Sequence, residues 1–129
     1  YPAARERLYA AFGRARSKPL VLAGDSHGFW ANELTNDQGD TVGTELATAS
    51  ITSPSVGDVL GDLPIDQMLV AASPDVKFTD QKAKGYILLT LSHTTAVADF
   101  IAMSTIFSPD YQARVVKQFA LKAGSSQLN

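Results

Sequence analysis

The unbroken apolar run Leu20-Val21-Leu22-Ala23 stops at Gly24, and Asp25-Ser26-His27 follows at once. Four apolar residues without a polar interruption read as a strand covered on both faces. A Gly at its end lets the backbone turn sharply toward a ligand, as α/β enzymes do at strand ends. Upstream, Pro2 suits a first helical turn. Ala4, Leu8, Phe12 and Ala15 then recur at i, i+4, i+8 and i+11, with Arg5, Arg7, Arg14 and Arg16 off the stripe. That spacing predicts an amphipathic helix packing on an apolar surface. A helix followed by a buried strand is half of an α/β unit.

The chain of 129 residues is long enough for one domain or part of one. Its net charge of −2 gives no electrostatic case for nucleic acid or an anionic membrane. With no cysteine it can build neither a disulfide framework nor a thiolate metal site. No apolar run approaches the roughly 18–20 residues of a transmembrane helix. The first residue is Tyr1, and no signal-peptide pattern precedes the helix. The expectation is that an N-terminal part is missing.

Residues 29–34 read as a strand, and Asn36-Asp37-Gln38-Gly39-Asp40 as a polar hairpin loop with Gly available for positive φ. Residues 42–51 read as the returning strand. Pro54, Gly57, Gly61 and Pro64 make the next stretch irregular, and residues 65–72 read as a short helix. Residues 86–91 and 96–105 form a predicted hairpin around Ser92-His93-Thr94-Thr95. Residues 111–121 fit a short helix or a final strand, and residues 123–129 a polar tail.

Asp25 and His27 are the candidate ligands, and His27 is one of only two histidines in the chain. A carboxylate and an imidazole one residue apart can face neighbouring points of a metal pair. Oxygen suits Ca²⁺ or Mg²⁺, and imidazole suits iron, zinc or manganese. The plainer reading is a strand-end turn in which Asp25 caps nearby N–H groups and His27 is solvated. A third reading takes Gly24-Asp25-Ser26 as the nucleophile turn of a GDSL-type serine esterase. It needs a late base histidine three residues after an Asp, but Thr90 stands three residues before His93. Ser26 is a candidate turn cap or phosphate contact, and Trp30 a candidate core residue. Asn32 and Glu45 are expected to face each other across the hairpin, in a plain strand hydrogen bond rather than the alternative of orienting His27. His93 is read as solvated.

The stretch Val21-Leu22-Ala23-Gly24-Asp25-Ser26-His27-Gly28-Phe29-Trp30-Ala31-Asn32-Glu33-Leu34 resembles the last catalytic motif of the PhoD-like alkaline phosphatases. Gly43-Thr44-Glu45-Leu46 and Ser50-Ile51-Thr52-Ser53 resemble that family's hairpin strand. Tyr1-Pro2-Ala3-Ala4-Arg5 and Lys84-Gly85-Tyr86 resemble its flanking segments. The resemblance implies an α/β architecture, the C-terminal part of a calcineurin-like metallophosphoesterase: a two-sheet sandwich flanked by helices. It implies a metal-dependent phosphatase or phosphodiesterase, hydrolysing phosphate esters with metal-activated water and exported to the periplasm or outside the cell. It implies a dinuclear site of iron and calcium, with His27 on the first metal and Asp25 on the second; Ser26, lying between them, is the candidate substrate contact. No residue of this chain is itself assigned as catalytic.

The family's upstream metal motifs are absent before residue 25, and Gly57-Asp58 and Gly61-Asp62 lie in the wrong order. Residues 1–129 are therefore read as the C-terminal segment of one metallophosphoesterase domain. Its expected partner is the N-terminal remainder of the same enzyme, with self-association and no activity for the isolated piece. The rival from another class is a non-catalytic β-rich structural or binding domain.

Overall fold

Alternation along Phe29–Thr35 (β2) decides which face of the molecule is inside. Phe29 and Ala31 are fully buried, while Trp30 and Asn32 point to the opposite face. In the computed structural model, which describes residues 1–128, β2 lies in a four-stranded sheet of order β1-β3-β2-β4. Its partners are Leu20–Ala23 (β1), Thr41–Ala47 (β3) and Val76–Asp80 (β4). Only β1 and β3 run parallel; β2 is antiparallel to both of its neighbours. Gly85–Leu91 (β5), Thr95–Met103 (β6) and Ala113–Lys122 (β7) form a second, antiparallel sheet of order β5-β6-β7.

The two sheets meet through Phe29, Ala31 and Leu46 on one side and Ala98, Phe100 and Phe119 on the other. Phe100 is the centre of this layer. Its ring stands edge-on to Phe29 at 5.4 Å, Phe78 at 5.3 Å and Phe119 at 5.9 Å. Such T-shaped pairs add about 0.5–1.5 kcal/mol each beyond the burial of their area. Helices Pro2–Arg14 (α1), Val56–Leu60 (α2) and Ile65–Ala72 (α3) complete the α/β architecture.

The hairpin between β2 and β3 forms as its loop chemistry dictates. Asn36 Oδ1 accepts the N–H groups of Gln38 (3.0 Å) and Asp40 (2.8 Å), and Gly39 takes φ 86°. Residues 111–121 resolve as strand β7 rather than helix. The tail is not loose: Thr44 Oγ1 donates to the Ser126 carbonyl at 2.8 Å, and Leu128 N–H donates to Glu33 Oε1 at 3.1 Å. These bonds tie the end of the second sheet's last strand back to the first sheet.

Four expectations need correction. β1 is an edge strand, hydrogen-bonded only to β3 among the described residues, and Leu22 is 62% exposed. Its apolar run is thus not covered on both faces here. The stripe on α1 is likewise only partly covered: the helix touches β3 and Phe12 is half-buried, but no residue of the helix is buried and Leu8 is 49% exposed. The strand read over residues 42–51 ends at Ala47, because both of its ladders run out there, at Ala23 on β1 and Trp30 on β2. Finally, α2 and β4 were not anticipated, although Val76 and Phe78 alternate with Lys77 and Thr79 as an edge strand should.

Candidate metal centre at the end of β1 and β3

The end of β3 creates the site. Residues 24–28 must pass from β1 to β2 across the end of the intervening β3, and they do so in a strained turn. The Ser26 N–H donates back to the Gly24 carbonyl at 2.9 Å, closing a three-residue ring around Asp25 at φ 71°. Turns of this γ type are rare and strained. His27 follows at φ 63°. The sharp turn expected at Gly24 is made by Asp25 and His27 instead; a Cβ on Gly24 would meet nothing closer than Thr48 at 3.9 Å. Strain of about 1–3 kcal/mol per such residue persists only where surrounding structure enforces it.

Gly28 shows what enforces it. A side chain there would lie 2.5 Å from the amide of Gln81, a residue that is itself almost completely buried. Gln81 Nε2 donates to Thr79 Oγ1 at 2.6 Å, and Thr79 Oγ1 donates to the Phe29 carbonyl at 2.8 Å. The loop is pressed onto a hydrogen-bonded wall that leaves no room for a Cβ.

His27 is oriented from the other side. Its Nδ1 lies 2.7 Å from the Pro54 carbonyl oxygen. A carbonyl can only accept, so Nδ1 carries the proton and Nε2 of the neutral ring presents its lone pair. The Ser50 N–H also donates to the His27 carbonyl at 3.3 Å. The segment leaving β3 thus holds both the backbone and the ring of His27. Asn32 and Glu45 do pair as expected, Asn32 Nδ2 donating to Glu45 Oε1 at 3.0 Å. They do not hold His27, however: that task falls to Pro54. Trp30, expected in the core, lies on the other face of β2, and its Nε1 donates to Ser26 Oγ at 3.0 Å.

Asp25 is exposed and caps none of the neighbouring N–H groups. Ser26 Oγ accepts from Trp30, and no histidine hydrogen-bonds to it among the described residues. His93 sits exposed in the β5–β6 turn of the second sheet.

Sequence reading missed the scaffold under Pro54. The next residue, Ser55, opens α2 with a capping box: its N–H donates to Asp58 Oδ2 at 2.7 Å. Lys84 Nζ, from the start of β5, donates to Asp58 Oδ2 at 2.6 Å and to Ser55 Oγ at 2.8 Å. Ser55 Oγ donates in turn to the Gln81 carbonyl at 2.5 Å, which also receives the Gly57 N–H at 3.1 Å. A side chain at Gly57 would collide with that same carbonyl. The Ser55-x-x-Asp58 spacing was a visible capping signal.

The hydrogen bond from Lys84, then those from Ser55, hold the Asp58 carboxyl down from 3.8 to about 2. A carboxylate with a depressed folded pKa stabilises the fold above its ordinary pKa and loses that contribution as pH falls through the folded value. Asp58 is 42% exposed, so solvent screening keeps the effect modest. Wild-type protein should therefore lose part of its thermal stability between about pH 4 and pH 2, and Asp58→Asn should flatten that segment of the profile. Melting curves across that range check it; equal slopes for both proteins would contradict it.

The family model for PhoD-like phosphatases matches residues 1–100. This chain belongs to that family. The solved structure of PhoD resembles it along 100% of its length, with a TM-score of 0.80 at 23% sequence identity. At that identity the likeness shows the fold, and it shows the same mixed α/β arrangement of two sheets. The chain spans 25% of the length of that PhoD structure. No curated protein matches it. Asp25 and His27, the candidate ligands of the sequence, both sit on the strained Gly24-Asp25-Ser26-His27 turn. Among the described residues no group of three or more His, Asp or Glu side chains is gathered to hold an ion.

Proposed function

We propose that this chain supplies the last metal-binding motif of a PhoD-like metal-dependent phosphatase or phosphodiesterase. His27 would hold one metal and Asp25 a second, with further ligands coming from outside these residues. The observation that carries this reading is the bond from His27 Nδ1 to the Pro54 carbonyl. Metal-binding histidines almost always donate their other ring N–H to such an acceptor, which fixes the ring and frees the second nitrogen.

The donor set fits the proposed iron and calcium pair. The imidazole nitrogen suits iron, and the exposed carboxylate of Asp25 suits calcium. When bound, such metals supply Lewis acidity and lower the pKa of water for attack on a phosphate ester. The chain's own contribution is to hold two donors of different type in a strained, preorganised turn. Two non-glycine residues at positive φ in one turn are the kind of backbone strain that clusters at binding sites, which supports this reading. Ser26 completes the proposal as a substrate contact: its oxygen accepts from Trp30, which leaves its own proton for a phosphate oxygen. Export to the periplasm or medium belongs to the same proposal, on the family resemblance.

Replacing Ser26 separates this mechanism from a serine esterase. Ser26→Ala should leave phosphatase activity within about tenfold of wild type, the worth of one hydrogen bond to substrate. Steady-state hydrolysis of an aryl phosphate, with metal content measured on the same samples, is the assay. Abolished turnover with both metals retained would instead make Ser26 the nucleophile.

A further inference from the structure

Lys84 is more than nine-tenths buried, yet it lies just before β5, outside the turn that bears Asp25 and His27. Its ammonium ends on Asp58 Oδ2 and Ser55 Oγ, with a longer contact of 3.4 Å to the Lys82 carbonyl. A buried cation satisfied by three partners is a costly way to stabilise a surface helix of five residues. What those partners share is position: Ser55 directly follows Pro54, whose carbonyl holds His27. Residues 50–58 are also held where the Gly85 N–H donates to the Ser50 carbonyl at 3.1 Å, where the Ser50 N–H donates to the His27 carbonyl, and where the Ser55 Oγ and the Gly57 N–H donate to the Gln81 carbonyl. The Gly85 bond, from the first residue of β5, and Lys84, the residue before it, anchor both ends of the Pro54 segment.

We infer that Lys84 is a positioning residue for His27: through Asp58 and Ser55 it fixes the Pro54 carbonyl, and so selects the ring nitrogen that His27 presents. The inference rests on the reading of His27 as a metal ligand only for its consequence; the tautomer itself is a property of the metal-free protein. Released from the Lys84 anchor, the Pro54 carbonyl drifts from Nδ1. The imidazole is then free to protonate at Nε2 and close off the nitrogen that a metal needs.

The test is ring ¹⁵N spectroscopy of the metal-free protein at mildly alkaline pH, with His27→Asn identifying the resonance. Wild type should show His27 as the Nδ1–H tautomer. Lys84→Met, nearly isosteric but unable to donate, should move it toward Nε2–H, and Zn²⁺ affinity should fall about 10–100-fold. Lys84→Arg, which keeps a donor for Asp58, should recover most of the wild-type spectrum. Ser55→Ala removes the link next to Pro54, together with the bond to the Gln81 carbonyl, without burying a new charge, and gives the same direction of change should Lys84→Met fail to fold. A lowered melting temperature with an unchanged tautomer and unchanged Zn²⁺ affinity in Lys84→Met, or in Ser55→Ala where that is the variant that folds, would reduce Lys84 to a structural clamp. The reading of His27 as a ligand fails separately, if Zn²⁺ leaves the wild-type Nε2 resonance unmoved while the tautomer still responds to Lys84.

Discussion

His27→Ala is expected to strip the transition metal from the holoenzyme while calcium stays largely bound. The argument runs from the donor atoms. Nε2 of His27 is a nitrogen donor of intermediate softness, whereas Asp25 offers only hard oxygen. Losing the imidazole therefore damages one ion site selectively. A Lewis-acidic metal is worth several kcal/mol to a developing phosphoryl transition state, so kcat/KM should fall by about a thousandfold or more. Ala at φ 63° is strained and leaves the Pro54 carbonyl without its donor, which confuses metal loss with loop damage. His27→Asn is the cleaner companion, since Asn tolerates the left-handed region. The reciprocal variant, Asp25→Asn, should lower calcium occupancy and spare the transition metal. Elemental analysis of the purified proteins reads both outcomes. Full occupancy of both metals in the His27 variants would remove His27 from the ligand set.

How far the sequence discloses such a site depends on chain separation. The strand-end turn was readable because its parts are contiguous: apolar Leu20–Ala23, then Gly24, then two potential ligands. The β2–β3 hairpin was readable because Asn36 and Gly39 carry its loop within five residues. The Asn32–Glu45 pair followed from hairpin register alone. By contrast, the residue that orients His27 lies 27 positions away. Nothing in the spacing of Pro54 announces that β3 ends at Ala47 and that the next segment folds under the turn. Lys84 is likewise remote from its partners, 29 positions from Ser55 and 26 from Asp58, so their contact exists only in the folded chain. Trp30 was misplaced because a large aromatic next to Phe29 reads as core by composition, whereas strand alternation sends it to the other face. β4 carries an alternating signal in Val76–Asp80, but over only five residues.

The burial of β1 was misjudged for another reason, and it leads to the second large effect. Its apolar residues do ask for cover on both faces, and α1 asks for a partner along Leu8 and Phe12, but the described residues supply neither in full. The outer edge of β1 keeps its backbone N–H and C=O groups free to pair with another strand. Phe107 at 93% exposed and Ile51 at 77% extend the apolar surface on the second sheet's side. An unprotected sheet edge beside apolar side chains favours association with any complementary chain. Under the proposed function, the complementary chain is the part of the enzyme that bears the remaining metal ligands. The 129-residue chain prepared by itself should therefore self-associate, and should show no metal-dependent hydrolysis of an aryl phosphate, because two donors are too few to hold a working metal pair. Adding the part that carries the other ligands should reduce the self-association and restore turnover. Sedimentation velocity over a range of concentrations, run beside the phosphatase assay, measures both. A monodisperse monomer that hydrolyses phosphate esters by itself would mean that these residues form a whole catalytic domain, with ligands other than Asp25 and His27 completing its metal site.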